Sequence, residues 1–299
     1  MADSQPNAGA PSCAPPDFKP RKPRFQFPVH ACDCHAHVLG PAARYAYSPA
    51  RVYTPTDCLL PDYRHMLDTL GIERAVLVQP SVYGIDNTVM LEAMKSDPAR
   101  LRGVAVVSED VTESELKRLH EAGVRGVRVN IVDVKDRRPG TLPLDALTSL
   151  ARRVKPLGWH MEFLMHVDEF PDFDRLVADF PVDIVLGHLG YMRTDKGVDA
   201  PGFQALLRLV KSGRCWVKLT GPMRISAVSL PYPDVTSFAH ALTAANPERI
   251  VWGTDWPHVI IKGPMPNDGD LADLVSDWIS DAGVREQVLV NNPARLYGF

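Results

Sequence analysis

Asp33-Cys34-His35-Ala36-His37 is the stretch from which the rest of the chain can be read. It closes an apolar run, Val29–His35, with the composition of a buried strand. Side chains alternate across a strand, so residues two apart point the same way. On that parity Asp33, His35 and His37 share one face, while Cys32, Cys34 and Ala36 share the other as small packing residues. Two imidazoles side by side at a strand end suit a metal or an acid–base pair. A second polar strand end stands far along the chain, in Trp252-Gly253-Thr254-Asp255-Trp256-Pro257-His258. The ends of a first and a last strand meet at one site when the sheet closes on itself.

Strand-like runs recur between these two at Arg74–Gln79, Gly103–Val107, Gly126–Asn130, His160–Met165, Asp183–Gly187 and Cys215–Leu219, and the last run is Arg249–Gly253. Helical patterns separate them, among them Pro61–Leu70, Glu113–Ala122 and Phe203–Val210. Thr112 heads a Thr-Glu-Ser-Glu capping box, and Gly71, Gly123 and Gly158 fall where helices should stop. About eight strands, each followed by a helix over ~250 residues, predict an α/β fold, the (β/α)8 TIM barrel. A doubly wound sheet would call for a glycine-rich phosphate turn after its first strand, and none follows here. Residues 29–299 are therefore expected as one barrel domain. Residues 1–28 are expected as a flexible N-terminal arm, with Arg21, Lys22 and Arg24 a solvated basic patch.

A chain of 299 residues, 45% of them hydrophobic, can bury one large core. Its net charge of -3 gives no attraction to nucleic acid or acidic membranes. No apolar run approaches the roughly 20 residues of a spanning helix. The opening residues lack the charged-then-apolar order of a secretory signal. Five irregularly spaced cysteines read as reduced thiols, so a cytoplasmic location is expected. The number of subunits stays open.

In such a barrel the site lies at the C-terminal ends of the strands. Taken in order, those ends offer His35 and His37, then Gln79 with Ser81 and Tyr83, Arg128 and Asn130, His166, His188, Lys218 with Arg224, and Asp255. Structural roles compete for three of them. Asp255 is also a good helix N-cap, Arg128 a buried partner for Glu162, and His166 an ordinary loop histidine.

These motifs resemble the amidohydrolase superfamily, specifically the lactonase branch that holds the 2-pyrone-4,6-dicarboxylate lactonases. The resemblance runs from Val29 to Phe299. Asp33–Val38 and Trp252–His258 carry it, with Gly158-Trp159-His160, Gly187-His188-Leu189-Gly190 and Asn292-Pro293-Ala294-Arg295-Leu296-Tyr297. Tyr47-Ser48-Pro49 ahead of Tyr53, and Gln79…Ser81…Gly84…Asp86-Asn87, are also similar. What it implies is hydrolysis of a small anionic lactone in the degradation of aromatic compounds. Asp255 would be the general base and His188 would serve the oxyanion or the water. Arg128 and Arg224 would grip acid groups, and Tyr53, Ser81 and Tyr83 would orient the ring.

Two departures qualify the resemblance. Val134 and Tyr191 stand where the pyrone lactonases carry arginines that help hold a dicarboxylate, with Lys135, Arg137 and Arg138 nearby as substitutes. His166, absent from those metal-free enzymes, completes with His35, His37 and Asp255 the ligand set of metal-using members, suited to a divalent metal such as Zn²⁺ or Mn²⁺, with Zn²⁺ preferred. The sulfomuconolactone hydrolases are similar in depending on metal, so a muconolactone or sulfomuconolactone fits both departures. The alternatives are a metal-free pyrone dicarboxylate lactonase, a metal-dependent decarboxylase or amidase, and a non-catalytic binding barrel, which would have no use for Asp255.

Overall fold

Strands buried on both faces need helices outside them and a filled interior, and the chain meets both needs. The structure, a computed structural model, describes residues 9–132 and 138–299. Val134, Lys135 and Arg137 lie outside the described residues. The strands are β1 (Cys32–Ala36), β2 (Arg74–Val78), β3 (Leu101–Ala105), β4 (Val124–Asn130), β5 (His160–Leu164), β6 (Ile184–Leu186), β7 (Cys215–Leu219) and β8 (Ile250–Trp252). They pair in parallel and in sequence order from β1 to β8. Helices α1 (Leu60–Leu70), α2 (Thr88–Lys95), α3 (Glu113–Glu121), α4 (Leu144–Val154), α5 (Phe173–Leu176), α6 (Pro201–Lys211), α7 (Thr236–Ala245) and α8 (Asp268–Trp278) alternate with them. Two short helices, α9 (Ala282–Glu286) and α10 (Asn292–Tyr297), finish the chain. This is the predicted TIM barrel.

The seam between β8 and β1 is closed by two backbone hydrogen bonds. Asp255 N–H donates to the His35 carbonyl at 2.8 Å, and His37 N–H donates to the Trp256 carbonyl at 2.8 Å. Closing the barrel therefore sets Asp255 beside His35. Below the seam, Cys32, Cys34, Val76, Val78, Val104, Val185, Trp216 and Val251 fill the interior, joined by Tyr297 of α10. A larger apolar shell, including Leu77, Val127, Phe163 and Leu206, packs the strands against the helices.

Simple alternation fails within β1. Cys32 and Cys34 belong to the interior, whereas Ala36 belongs to the outer shell. The register with β2 shifts between Asp33 and Ala36. Such an irregularity reverses parity beyond it. Asp33, ahead of the shift and opposite in parity to Cys32 and Cys34, turns to Tyr63 of α1, and its carboxylate accepts from the Tyr63 hydroxyl at 2.8 Å. His35 and His37 face the barrel mouth instead, so the shared face expected for Asp33, His35 and His37 is corrected.

From residue 9 onward the segment expected as a flexible arm lies along the barrel. Cys13 N–H donates to the Thr54 carbonyl at 2.9 Å, and Phe27 is buried. Arg21 meets Asp270 and Asp273 of α8, each at 2.5 Å, and Arg24 reaches Asp273 at 3.0 Å. The acidic face of α8 is thus what orders two cations of the expected solvated patch. Among the described residues no helix is long and apolar enough to cross a membrane.

Candidate active site

The strand ends deliver polar side chains into a cavity of about 110 Å³ at the C-terminal mouth. Its walls carry His37, Tyr53, Ser81, Arg128, Asn130, His188, Tyr191, Arg224 and Asp255. A larger cleft, of about 500 Å³, opens at the opposite end beside Arg214, Arg249 and Arg295. Those guanidinium groups are already held, by the Phe180 carbonyl, Asp183 and Glu248 respectively. The chemistry therefore belongs to the smaller cavity.

Asp255 follows β8 with a φ of 69°, and His188 follows β6 with a φ of 50°. A non-glycine residue held in the left-handed region costs about 1–3 kcal/mol and persists where the surroundings dictate it, commonly at working sites. Asp255 is fully buried, which disfavours its charge. Arg224, with Nε 2.6 Å from Oδ2, outweighs that and holds the carboxyl below the usual carboxylate range. The other oxygen, Oδ1, lies 3.8 Å from His35 Nε2 and 4.0 Å from His188 Nε2. Among the described residues Oδ1 and His35 Nε2 have no hydrogen-bond partner. An anionic oxygen and two imidazoles thus face one another across a gap.

Both imidazoles are neutral. Burial is the main force pushing His35 and His188 well below the ordinary histidine value, and for His35 the nearby Lys218 adds to it. His188 Nδ1 is paired with the Thr220 hydroxyl at 2.9 Å, which fixes the ring with Nε2 toward Asp255. Gly221 shapes the same corner. Its φ is 57°, and a Cβ there would come within 2.7 Å of His188 Nδ1 and 3.0 Å of Asp255 Oδ2.

Among the described residues, His35, His188 and Asp255 are the ligating side chains that converge, with donor atoms all within 4.8 Å of one another. The expected set was His35, His37, His166 and Asp255, and two of its members fall outside this group. His37 pairs Nδ1 with the Val78 carbonyl at 2.7 Å and lines the cavity, with Nε2 left free among the described residues, but stands outside the 4.8 Å group. His166 stands behind Tyr191, with the rings edge-on at 4.8 Å and Nδ1 3.3 Å from the Tyr191 carbonyl. It lines an adjoining cleft with Arg193 and Lys262.

The expected substrate-binding residues divide. Tyr53 and Ser81 line the cavity, and burial pushes the Tyr53 hydroxyl up to about 12. Arg128 also lines it, with Nη1 donating to the Gln79 carbonyl at 3.1 Å and a buried Nε without a partner among the described residues. It stands in register with Glu162 across β4 and β5, yet the ion pair of that carboxylate is with Lys218, at 2.6 Å. Tyr83 does not reach the cavity wall. Its hydroxyl accepts from Gly40 N–H at 2.7 Å and its ring packs on Tyr47, so its role is to hold the loop after β1.

Asp33 was read as a neighbour of the two histidines, Glu162 as a partner for Arg128 and Lys218 as a strand-end residue, and the structure buries all three. Asp33 accepts from His35 N–H and Thr254 N–H at 3.1 and 2.9 Å, and from the Thr254 hydroxyl at 2.6 Å, tying β1 to the segment after β8. Burial still raises its carboxyl to about 6. Glu162 and Lys218 carry a readable signal: a charge inside an otherwise apolar strand.

The amidohydrolase family profile matches residues 32–299, from β1 to the C-terminus. The chain belongs to the amidohydrolase family. This amidohydrolase is 38% identical over 293 residues to a 4-sulfomuconolactone hydrolase of Rhizobium radiobacter, covering 97% of each chain. It is 37% identical over 287 residues, 93% of each chain, to a 2-pyrone-4,6-dicarboxylate hydrolase of Comamonas testosteroni. A solved structure of a probable 2-pyrone-4,6-dicarboxylic acid hydrolase from Acinetobacter baumannii, with citric acid bound, matches at a TM-score of 0.79 and 26% identity, over 91% of this chain and 100% of that one. Each relative is named for a hydrolysis, and each named substrate is a cyclic ester carrying acid groups. In this amidohydrolase, His35, His188 and Asp255 form a possible cation site.

Proposed function

We propose that this chain hydrolyses a small anionic lactone of the muconolactone, sulfomuconolactone or pyrone dicarboxylate type, in the degradation of aromatic compounds. The observation that carries the reading is a buried, ionised Asp255, with one oxygen unpartnered, in a cavity walled by Arg128 and Arg224. The two curated relatives, similar over nearly their whole length, support it.

Ring opening needs a nucleophilic water, a place for the oxyanion and a proton for the leaving oxygen. Asp255 Oδ1 takes the water's proton, a role worth about 10²–10⁴-fold in rate. His188, neutral and fixed by Thr220, donates to the developing oxyanion or steadies the water. Arg128 presents its guanidinium to an acid group of the substrate. Arg224 divides its donors between Asp255 and the same anion. Tyr53 and Ser81 orient the ring from the cavity wall. The proton gained by Asp255 passes to the leaving alkoxide.

The unpartnered His35 Nε2 and Asp255 Oδ1, with His188, suit a divalent cation, and Zn²⁺ matches a two-imidazole, one-carboxylate donor set. Bound there, it supplies positive charge that polarises the lactone carbonyl and acidifies water. Tyr191 brings a phenol to the cavity wall rather than a guanidinium, which favours a muconolactone or sulfomuconolactone over the planar pyrone dicarboxylate. The unpaired thiols fit a reducing, cytoplasmic setting.

The test is a panel of muconolactone, 4-sulfomuconolactone and 2-pyrone-4,6-dicarboxylate, assayed for ring opening and for carbon dioxide release. It is run before and after chelation, with elemental analysis of the protein. Ring opening without carbon dioxide is the expected result, fastest on a muconolactone. Carbon dioxide release would point to a decarboxylase, and full activity in a metal-free sample would remove the cation.

A further inference from the structure

Beneath the cavity, inside the barrel, Lys218 of β7 and Glu162 of β5 form an ion pair that the proposed chemistry does not use. Lys218 is 0% exposed and Glu162 1% exposed, among the interior valines. Taking two ions out of water costs several kcal/mol each, so a pair placed here needs a purpose beyond stability.

The proton count at Lys218 supplies one. An ammonium has three N–H donors and no acceptor. Nζ has two hydrogen-bond partners, the Cys34 carbonyl at 2.8 Å and His35 Nδ1 at 3.3 Å, and Glu162 Oε2 stands 2.6 Å away as its counter-charge. If the neutral His35 ring carried its proton on Nδ1, that N–H would point at the ammonium. Nδ1 is therefore the acceptor and the proton sits on Nε2. That nitrogen faces Asp255 Oδ1 at 3.8 Å, across the gap where neither atom has a partner among the described residues.

We propose that Lys218, anchored by Glu162, is a positioning residue that holds His35 as its Nε2–H tautomer, aimed into the reaction gap. A water there accepts from His35 Nε2–H and donates to Asp255 Oδ1, which leaves a lone pair for the carbonyl carbon. The same tautomer covers the nitrogen a divalent cation would need. That nitrogen is freed when Glu162 Oε1, 3.4 Å from Nδ1, accepts an Nδ1–H in place of Lys218. Lys218 thus sets both the direction of the His35 proton and the metal affinity of the cluster. The catalytic consequence rests on Asp255 acting as the base, whereas the tautomer does not.

The experiment uses full-length, chelator-treated protein with ¹⁵N-labelled histidine. Long-range ¹H–¹⁵N correlation spectra report the tautomer, and His35→Gln assigns the signals. The wild type is expected to show His35 as Nε2–H. Lys218→Met is expected to move it to Nδ1–H and to raise zinc affinity, measured by calorimetry, about tenfold or more, the usual scale for a group behind a ligand. Glu162→Gln, of the same shape, keeps the Lys218 contact and is expected to retain Nε2–H, which keeps the proposal testable if Lys218→Met does not fold. An Nδ1–H ring in the wild type or in Glu162→Gln, or an unchanged tautomer in a folded Lys218→Met, would overturn it. An Nε2–H ring in a protein that opens no lactone would support this inference while removing the functional reading.

Discussion

Burial of Asp255 by itself favours the neutral acid, which cannot take a proton from water, and Arg224 at 2.6 Å reverses that balance. Removing the guanidinium should therefore have two separable effects. In Arg224→Met the carboxyl protonates at higher pH than in the wild type, so the acid limb of the kcat/KM profile moves up in pH. The substrate also loses a charge-assisted contact of about 1.5–3 kcal/mol, raising KM roughly 10–100-fold for a dianionic lactone and much less for its neutral ester. A pH–rate profile and a comparison of acid with ester check both, and an unmoved acid limb would free Asp255 from Arg224. Asp255, His188, Arg128, Arg224 and Ser81 were legible in the sequence because strand ends of a barrel converge on one mouth, whereas Tyr53, in the long loop after β1, was reached only through the family resemblance. His166 and Tyr83 were not, since each follows its strand by a short turn whose direction no periodicity encodes. The inward charges of Glu162 and Lys218 were visible as residues, but their pairing across β5 and β7 needed the register of the whole sheet.

At the scale of the element, β1 and the segment after β8 act as one unit. Asp33 ties the two together through Thr254, and the backbone bonds of His35 and His37 finish the seam. Gly253 sits inside that joint. A Cβ there would come within 2.6 Å of the His35 nitrogen and 2.9 Å of Asp33 Oδ1, both held by hydrogen bonds. Gly253→Ala should thus part the seam. The expected outcome is a loss of about 1–3 kcal/mol of stability by denaturant unfolding, together with a fall in kcat as Asp255 leaves its place beside His35. Wild-type stability and turnover in that variant would show that the seam does not set the site. All eight strands could be read from apolar runs and helix stops. The shift in β1 could not, because an irregularity in register leaves the sequence pattern of a short strand unchanged.

Over the whole molecule, buried neutral histidines make stability depend on pH. Burial is the main cause that lowers His37 and His160 to about 3 and pushes His35 and His188 well below the ordinary value of 6.5. Each therefore contributes stability that is present above 6.5 and is lost as pH falls toward the folded value, by up to about 1.4 kcal/mol per pH unit. Asp33, raised to about 6, acts in the opposite sense: its contribution is full below its ordinary 3.8 and is lost as pH rises through 6. Several histidines outweigh one carboxyl, so the unfolding free energy should fall steadily from pH 7 to pH 5, as denaturant titrations at fixed salt would record. A flat or rising curve would mean that these rings are hydrated or charged in the fold. The account as a whole rests on water being delivered to a lactone carbonyl by Asp255, and hydrolysis in ¹⁸O-labelled water reads that event directly. The wild type should open a muconolactone with one label in the newly formed carboxylate, and folded Asp255→Asn should lose at least about 10²-fold in kcat. Label on the alcohol carbon, or near-wild-type opening by Asp255→Asn, would contradict it.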